Sequence, residues 1–162
     1  MKLYHLRQQQ VLPITIEEAW SFFSNPANLA RITPETLGFK IIFISGDDRE
    51  MYPGQIICYK IRVLPLFTTF WMTEIKHVHE PYYFSDEQRF GPYSFWNHQH
   101  HFRELPEGIE MTDELAYAIP YGWLGRLAHK IFVGPKIKEV FQYREKILNR
   151  IYPNTMVINR SA

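Results

Sequence analysis

The sequence of 162 residues contains a single cysteine, Cys58. One cysteine excludes an intramolecular disulfide and a zinc site built on several thiolates. Long apolar runs are also missing. No stretch approaches the roughly 18 apolar residues of a membrane-spanning helix, and residues 1–10 contain no apolar run of signal-peptide length. We therefore expect a protein without a membrane span in the reducing cytoplasm.

An excess of one charge sign is missing as well. The 18 Lys and Arg residues nearly balance the 17 Asp and Glu residues, which gives a formal net charge of +1. Nucleic-acid-binding proteins usually carry a basic stripe or face, and the interspersed charges here form none. The sequence also lacks a glycine-rich phosphate loop, a dinucleotide fingerprint and a Ser/His/Asp triad spacing. It therefore predicts no nucleic-acid partner and no cofactor.

Aromatic residues are abundant, at 16% of the chain. Their large, flat side chains can fill a solid core, and they can also line a cavity because they span a gap with few rotatable bonds. A chain of this length suits one domain that buries roughly 70% of its unfolded surface. We expect that domain over residues 1–152, followed by a tail over residues 153–162.

Turn residues and apolar alternation divide the chain into a strand, two short helices, six further strands and a helical segment. A capping box at Thr15 and Glu18 begins the first helix, and Asn25-Pro26 begins the second. Short connections between the strands demand antiparallel neighbours. The sequence thus predicts an α+β fold, in which a seven-stranded curved antiparallel sheet wraps around a long C-terminal helix. The predicted strands are Leu3–Leu12, Phe39–Ser45, Gln55–Val63, Thr68–His79, Tyr82–Phe90, Ser94–Glu104 and Ile109–Ile119.

The apolar face of the C-terminal segment, which begins at Trp123, changes phase along its length. The face that carries Leu127 and Ile131 is rotated by about 150° from the face that carries Phe141. Gly134-Pro135 lies between them, and proline removes a helical donor and clashes with the preceding turn. We predict a kink or break near residues 131–135. The first piece then acts as a flap over a cavity mouth, or the kink merely follows the curvature of the sheet.

One predicted hairpin brings ionisable and aromatic residues together. A two-residue turn at Pro106-Glu107 sets His100 opposite Asp113 and His98 opposite Leu115, since side chains of one strand face alternate every second residue. In the same register, aromatic side chains extend this face on both sides of the histidines. These neighbours are Trp96 opposite Tyr117, and Phe102 opposite Met111.

This constellation has several interpretations. His100 and Asp113 can form a buried polar pair in a ligand pocket, or an acid–base dyad in which Asp113 holds the histidine tautomer. Together with His98 they can also ligate a metal, or they simply stabilise the core. A His-x-His pair arises easily in a chain with seven histidines. The pocket wall is therefore favoured and no metal site is expected.

Other polar residues are weaker candidates. The alternating segment 86–89 must point at least one polar side chain inward, and Glu87 or Arg89 can then meet a ligand carboxylate or form a cross-strand ion pair. His77 and His79 lie near a strand end and are expected to be solvated.

Several phrases resemble the START-like helix-grip superfamily, also called SRPBCC, which includes the birch-pollen-allergen fold and the polyketide cyclase/dehydrase-like proteins. The phrase LPITIEEAWSFFSNPANL at 12–29 and the following ITP at 32–34 resemble its N-terminal segment. DEQRFGPY at 86–93, WNHQH at 96–100 and PYGWLGRL at 120–127 resemble a small bacterial subgroup. The resemblance implies a cavity between the sheet and the long helix that holds an apolar molecule.

This resemblance and the predicted hairpin lead to one expected function. The protein binds a small hydrophobic ligand of lipid, polyketide or aromatic type, with His98, His100 and Asp113 as polar anchors. The alternative is a cyclase- or dehydratase-type enzyme that uses His100 and Asp113 as an acid–base pair and Tyr117 as a proton donor. Neither the ligand nor the oligomeric state is specified by the sequence. The expected cavity walls are Trp71, Trp96, Phe102, Tyr117, Leu127 and Ile131.

Overall fold

The computed structural model describes residues 2–46, 51–64 and 67–153. Of the predicted tail, residues 154–162 lie outside the described residues. The described chain folds into one antiparallel sheet of seven strands in the order β1-β7-β6-β5-β4-β3-β2. The predicted fold class is confirmed, and β1 lies at a sheet edge. The strands are β1 (Leu3–Leu12), β2 (Lys40–Ile44), β3 (Ile56–Leu64), β4 (Phe67–His79), β5 (Tyr83–Phe90), β6 (Phe95–Leu105) and β7 (Gly108–Ala118).

Two short helices, α1 (Ile16–Phe23) and α2 (Pro26–Leu29), connect β1 to β2 and are followed by 3-10 turns at Ala30–Ile32 and Glu35–Leu37. The predicted capping box is present. Thr15 Oγ1 accepts from the Glu18 amide at 3.2 Å, and a Glu18 carboxylate oxygen accepts from the Thr15 amide at 2.9 Å. Asn25 caps α2 by accepting from the Ala27 amide at 2.9 Å. Local side-chain chemistry therefore positions both helix starts.

The predicted register of the β6–β7 hairpin is confirmed. His100 pairs with Asp113, and His98 pairs with Leu115. Both strands direct their larger side chains to the concave face of the sheet. A slip by one residue would turn one of these sets away from the core, so burial of both sets specifies the register. This register brings the predicted site residues of the two strands to one surface.

Apolar side chains form two clusters on this concave face. The first apolar cluster joins α1 to one end of the sheet and includes Trp20, Phe84, Phe102 and Leu148. The second apolar cluster lies toward the other end, and its buried members are Leu115, Tyr117, Ile137 and Phe141. Residues of the C-terminal helix belong to both clusters, so this helix is held against the sheet along much of its length.

The C-terminal segment consists of α3 (Gly122–Ala128), a π-helical turn (His129–Val133) and α4 (Gly134–Ile151). The predicted break near residues 131–135 is absent, because the segment stays helical throughout. Its turn pattern changes at residues 129–133, where a wider π-helical turn directly precedes Gly134-Pro135. Pro135 cannot donate the usual hydrogen bond to the carbonyl four residues earlier, which favours a different local pattern. A Cβ on Gly134 would lie only 2.9 Å from the His129 ring, so this position needs glycine. No helix in the described ranges is long and apolar enough to cross a membrane.

Candidate functional site

The centre of the concave face carries a cluster of ionisable side chains between the two apolar clusters. It consists of Asp86 from β5, His98 and His100 from β6, Asp113 from β7 and Arg144 from α4. We name these five residues the interior polar cluster. Asp113 is 1% exposed, and both histidines and Arg144 are also buried. Charged groups are rarely buried unless they are paired, and the contacts within the cluster supply that pairing.

Asp113 is the common partner of the cluster. Its Oδ1 accepts a hydrogen bond from His98 Nε2 at 3.0 Å. His100 Nδ1 lies 2.7 Å from the same oxygen, in an ion-pair contact that falls outside well-directed hydrogen-bond geometry. Arg144 Nη1 lies 3.5 Å from Oδ2. Both carboxylate oxygens of Asp113 are therefore engaged.

Asp86 faces the same two histidines from the other side. Its Oδ2 lies 3.8 Å from His98 Nδ1 and 3.6 Å from His100 Nε2. Each imidazole thus directs one ring nitrogen toward Asp113 and the other toward Asp86. The two rings also contact each other, with centroids 4.0 Å apart.

Burial and charge shift the ionisation of the cluster in different directions. Burial lowers the pKa of His98, and the neighbouring His100 adds to that effect. Burial acts on His100 in the same sense, but Asp113 and Asp86 outweigh it, and the pKa of His100 is raised. Burial alone would raise the pKa of Asp113, yet His100, His98 and Arg144 hold it well below the usual range of an aspartate. Asp113 is therefore an anion at neutral pH.

Aromatic side chains adjoin the cluster on both sides. The Trp96 ring centroid lies 5.0 Å from that of Trp71, 6.0 Å from that of Tyr117 and 4.7 Å from that of Tyr93. On the other side, the Phe84 ring stacks on His100 at 4.2 Å. Phe102 belongs to the first apolar cluster with Phe84. Of the predicted wall residues, Trp96 contacts His98 with ring centroids 6.5 Å apart. Trp71 and Tyr117 pack on Trp96, and Phe102 packs on Phe84.

The predicted wall positions of Leu127 and Ile131 are corrected by the structure, because these side chains are 49% and 53% exposed. The opposite face of the segment meets the sheet instead. His129 stacks on Tyr4 with ring centroids 3.5 Å apart, and its Nε2 lies 2.8 Å from the Tyr117 hydroxyl. Gly125 and His129 thus hold the segment against the rest of the protein. The apolar stripe that carries Leu127 and Ile131 points outward.

The orientation of α3 gives a paired test. A Cβ on Gly125 would lie 2.0 Å from the Pro120 carbonyl oxygen. We expect Gly125→Ala to lower the free energy of unfolding by about 1–3 kcal/mol through overpacking, although alanine normally stabilises a helix relative to glycine. Leu127→Ser, two residues away on the exposed face, should change it by less than about 0.5 kcal/mol. Urea unfolding measures both values, and a stabilising Gly125→Ala would contradict this docking of α3.

Two members of the polar cluster were not identified from the sequence. Asp86 lies in the segment 86–89, where the sequence predicts an inward polar side chain. The sequence named Glu87 and Arg89 as the candidates for that role, and Asp86 takes it. Pairing of Asp86 with His98 across β5 and β6 decides its direction. Arg144 lies three residues after Phe141 on the inward face of α4. Residues three or four apart share one face of a helix, so this spacing could have identified Arg144 from the sequence.

The remaining polar candidates lie elsewhere. Arg89 forms a cross-strand ion pair with Glu74, as one of the two sequence interpretations proposes. His77 and His79 are exposed, although His77 Nδ1 lies 3.2 Å from the Ser85 hydroxyl. None of these side chains is part of the interior polar cluster.

A cavity of about 320 Å³ lies under α3, where the ends of β1 and β7 meet. It is lined by Tyr4, Ile119, Pro120 and Gly125, among others, and by none of the predicted site residues. Tyr4 stacks on Tyr117 with centroids 5.5 Å apart, and Tyr117 contacts Trp96. The cavity is therefore adjacent to the aromatic side chains that flank the polar cluster. A wider cleft of about 770 Å³ outside it is lined mainly by polar side chains, including Lys2, Arg126, Lys130 and Lys138.

Solved structures share this architecture over nearly the whole chain. A protein from Chromobacterium violaceum superposes with a TM-score of 0.69 at 13% sequence identity, covering 91% of this chain and 96% of its own. A protein from Thermus thermophilus superposes with a TM-score of 0.68 at 15% identity, covering 96% of this chain and 99% of its own. The chain has the START-like helix-grip fold. At the level of sequence it matches no protein-family model and no curated protein.

The helix-grip fold also occurs in an enzyme. A Thalictrum norcoclaurine synthase variant, solved in complex with a transition-state analogue, superposes with a TM-score of 0.64 at 11% identity, covering 92% of this chain and 96% of its own. Identities this low relate the folds and leave the activity of each protein to its own side chains. In the present helix-grip chain, those side chains are the interior polar cluster and its aromatic neighbours.

Proposed function

We propose that this protein binds a small hydrophobic molecule between the concave face of its sheet and the C-terminal helical segment. The supporting observation is a buried polar cluster flanked by aromatic rings, one of which, Tyr117, stacks on Tyr4 at the wall of a cavity of about 320 Å³. Small-molecule sites are typically concave and mostly apolar, with a few convergent polar groups that orient the ligand. The arrangement of Trp96, Tyr117 and His98 has these properties.

The cavity under α3 is the proposed entrance. Ile119 and Pro120 give it an apolar lining, and Tyr4 connects it to Tyr117. A ligand that enters here passes Lys2 and Arg126 in the lining and then meets the aromatic side chains before the interior polar cluster. The apolar part of the ligand is then desolvated against Tyr117 and Trp96, and a polar substituent can reach the histidines. This order suits a mainly apolar molecule with one hydrogen-bonding group.

The experiment is a titration with the apolar fluorophore N-phenyl-1-naphthylamine. We expect saturable binding to the unmodified protein, and at least a tenfold weaker affinity in Ile119→Trp, because the larger ring fills the entrance. Ile131→Trp is the matched control, since the same substitution lies on the exposed face of the helical segment. Its affinity should equal that of the unmodified protein.

Two results would count against the proposal. One is the absence of saturable binding by a protein whose thermal unfolding transition is normal. The other is an equal affinity in Ile119→Trp and Ile131→Trp, which would assign the fluorophore to a surface outside the entrance. Fluorescence intensity and the unfolding midpoint should be recorded on the same samples.

A further inference from the structure

The two histidines of the interior polar cluster point a second nitrogen at Asp86. His98 Nδ1 and His100 Nε2 lie 3.8 Å and 3.6 Å from Asp86 Oδ2, and one ligand atom from each residue lies within 4.8 Å of the other two. Metal bonds of about 2.0–2.2 Å to nitrogen and oxygen separate neighbouring ligand atoms by roughly 3–3.5 Å. The two histidine–Asp86 distances exceed these values by only a few tenths of an ångström.

Asp113 provides the support that metal-binding histidines usually have. A histidine that ligates a metal commonly donates its other N–H to a carboxylate, which fixes the tautomer and the ring orientation. Here Asp113 Oδ1 accepts from His98 Nε2 at 3.0 Å, and His100 Nδ1 lies 2.7 Å from the same oxygen outside well-directed hydrogen-bond geometry. When both imidazoles are neutral and carry their proton on those nitrogens, the lone pairs of His98 Nδ1 and His100 Nε2 face Asp86.

In that state the two lone pairs and the Asp86 carboxylate oxygen repel one another unless a positive charge lies between them. Either a proton on His100, whose pKa the two aspartates raise, or a bound metal ion can supply that charge. Arg144 does not fill that role, because its guanidinium contacts the oxygen of Asp113 that the histidines leave free. Asp113 is therefore neutralised from the helix side, and the positive charge opposite Asp86 must come from a protonated histidine or from a bound cation. The Asp86 side chain is 16% exposed, and His98 and His100 are 7% and 9% exposed, so any cation would lie inside the protein.

We propose that Asp86, His98 and His100 form a binding site for a divalent first-row transition-metal ion. Two imidazoles and one carboxylate suit ions that accept nitrogen and oxygen ligands, such as Zn²⁺, Fe²⁺ or Co²⁺. Three protein ligands leave at least one coordination position for a further ligand. Asp113, which the sequence grouped with the two histidines, supports the ligands from behind. The site depends only on the interior polar cluster, and binding of an apolar molecule is a separate property.

The test uses Co²⁺, whose visible absorption reports on its ligands. Tag-free protein is stripped with EDTA, dialysed, and titrated with Co²⁺ by absorption and calorimetry. We expect one ion per chain and a rise in the thermal unfolding midpoint, because an ion that binds only the folded state stabilises it. Asp86→Asn preserves the side-chain shape and should weaken Co²⁺ binding at least tenfold. Glu87→Gln makes the same chemical change on the opposite face of β5 and should bind Co²⁺ as the unmodified protein does.

A folded protein that binds no Co²⁺ would overturn the proposal. Protonated histidine nitrogens would then pair with Asp86 directly, without a metal ion. Equal affinities in Asp86→Asn and Glu87→Gln would also overturn it and assign the ion to surface histidines such as His77 and His79. If Asp86→Asn fails to fold, His98→Gln undergoes the same titration with the same expected loss. The fluorophore titration is repeated in EDTA, so that failure of the metal site and failure of apolar binding are observed separately.

Discussion

Asp113→Ala should lower the free energy of unfolding by about 3–5 kcal/mol, as expected when one partner of a buried ion pair is removed. Asp113 is 1% exposed and contacts His98, His100 and Arg144. Its removal leaves the Arg144 guanidinium buried beside two imidazoles without their shared anion. Urea unfolding at neutral pH measures the loss.

Glu114→Gln is the matched control for Asp113→Ala. Glu114 follows Asp113 but points to the other face of β7, where it pairs with Arg7 at 3.1 Å between exposed side chains. Exposed ion pairs contribute little, so this variant should lose less than about 1 kcal/mol. Similar losses in both variants would mean that Asp113 does not organise the interior polar cluster.

Phe141→Ala should also cost about 3–5 kcal/mol, because it removes a buried ring and leaves a cavity. Phe141 is 3% exposed and belongs to the second apolar cluster. Its ring lies 5.7 Å from that of His98, and the Arg144 guanidinium lies 5.3 Å from the ring centroid. The new cavity would adjoin the polar cluster, so benzene should raise the thermal unfolding midpoint of the variant more than that of the unmodified protein.

The control for Phe141→Ala is the same substitution at Phe132, which is 60% exposed. Phe132→Ala should change the free energy of unfolding by less than about 0.5 kcal/mol and should not respond to benzene. If benzene stabilised both variants equally, its binding site would lie away from Phe141.

The accuracy of the sequence predictions follows how local each interaction is. The capping box at Thr15 and Glu18 and the pairing of His100 with Asp113 involve residues that are close in sequence or joined by one short turn. Alternation along a strand then decides which side chains share a face. These features could be predicted because one slipped residue would bury the wrong set of side chains.

The composition of the site depended on contacts between distant segments. Asp86 joins His98 only through the pairing of β5 with β6, and Arg144 reaches Asp113 only because α4 crosses the concave face. An apolar stripe shows that a helix has two faces but does not show which face meets the sheet. In α3, the close approach of Gly125 to Pro120 and the stacking of His129 on Tyr4 decide that question, so Leu127 points outward.

The sequence by itself determined the α+β class, the seven strands, the β6–β7 register and the position of the helical irregularity. These properties arise from local geometry, turn chemistry and alternation, which a single chain segment carries. Only the tertiary structure decided that Asp86 and Arg144 complete the polar cluster and that the stripe of Leu127 and Ile131 faces away from it. The physical reason is that burial and charge pairing depend on how distant segments pack together, and the pattern of one segment does not determine which of its faces meets the sheet.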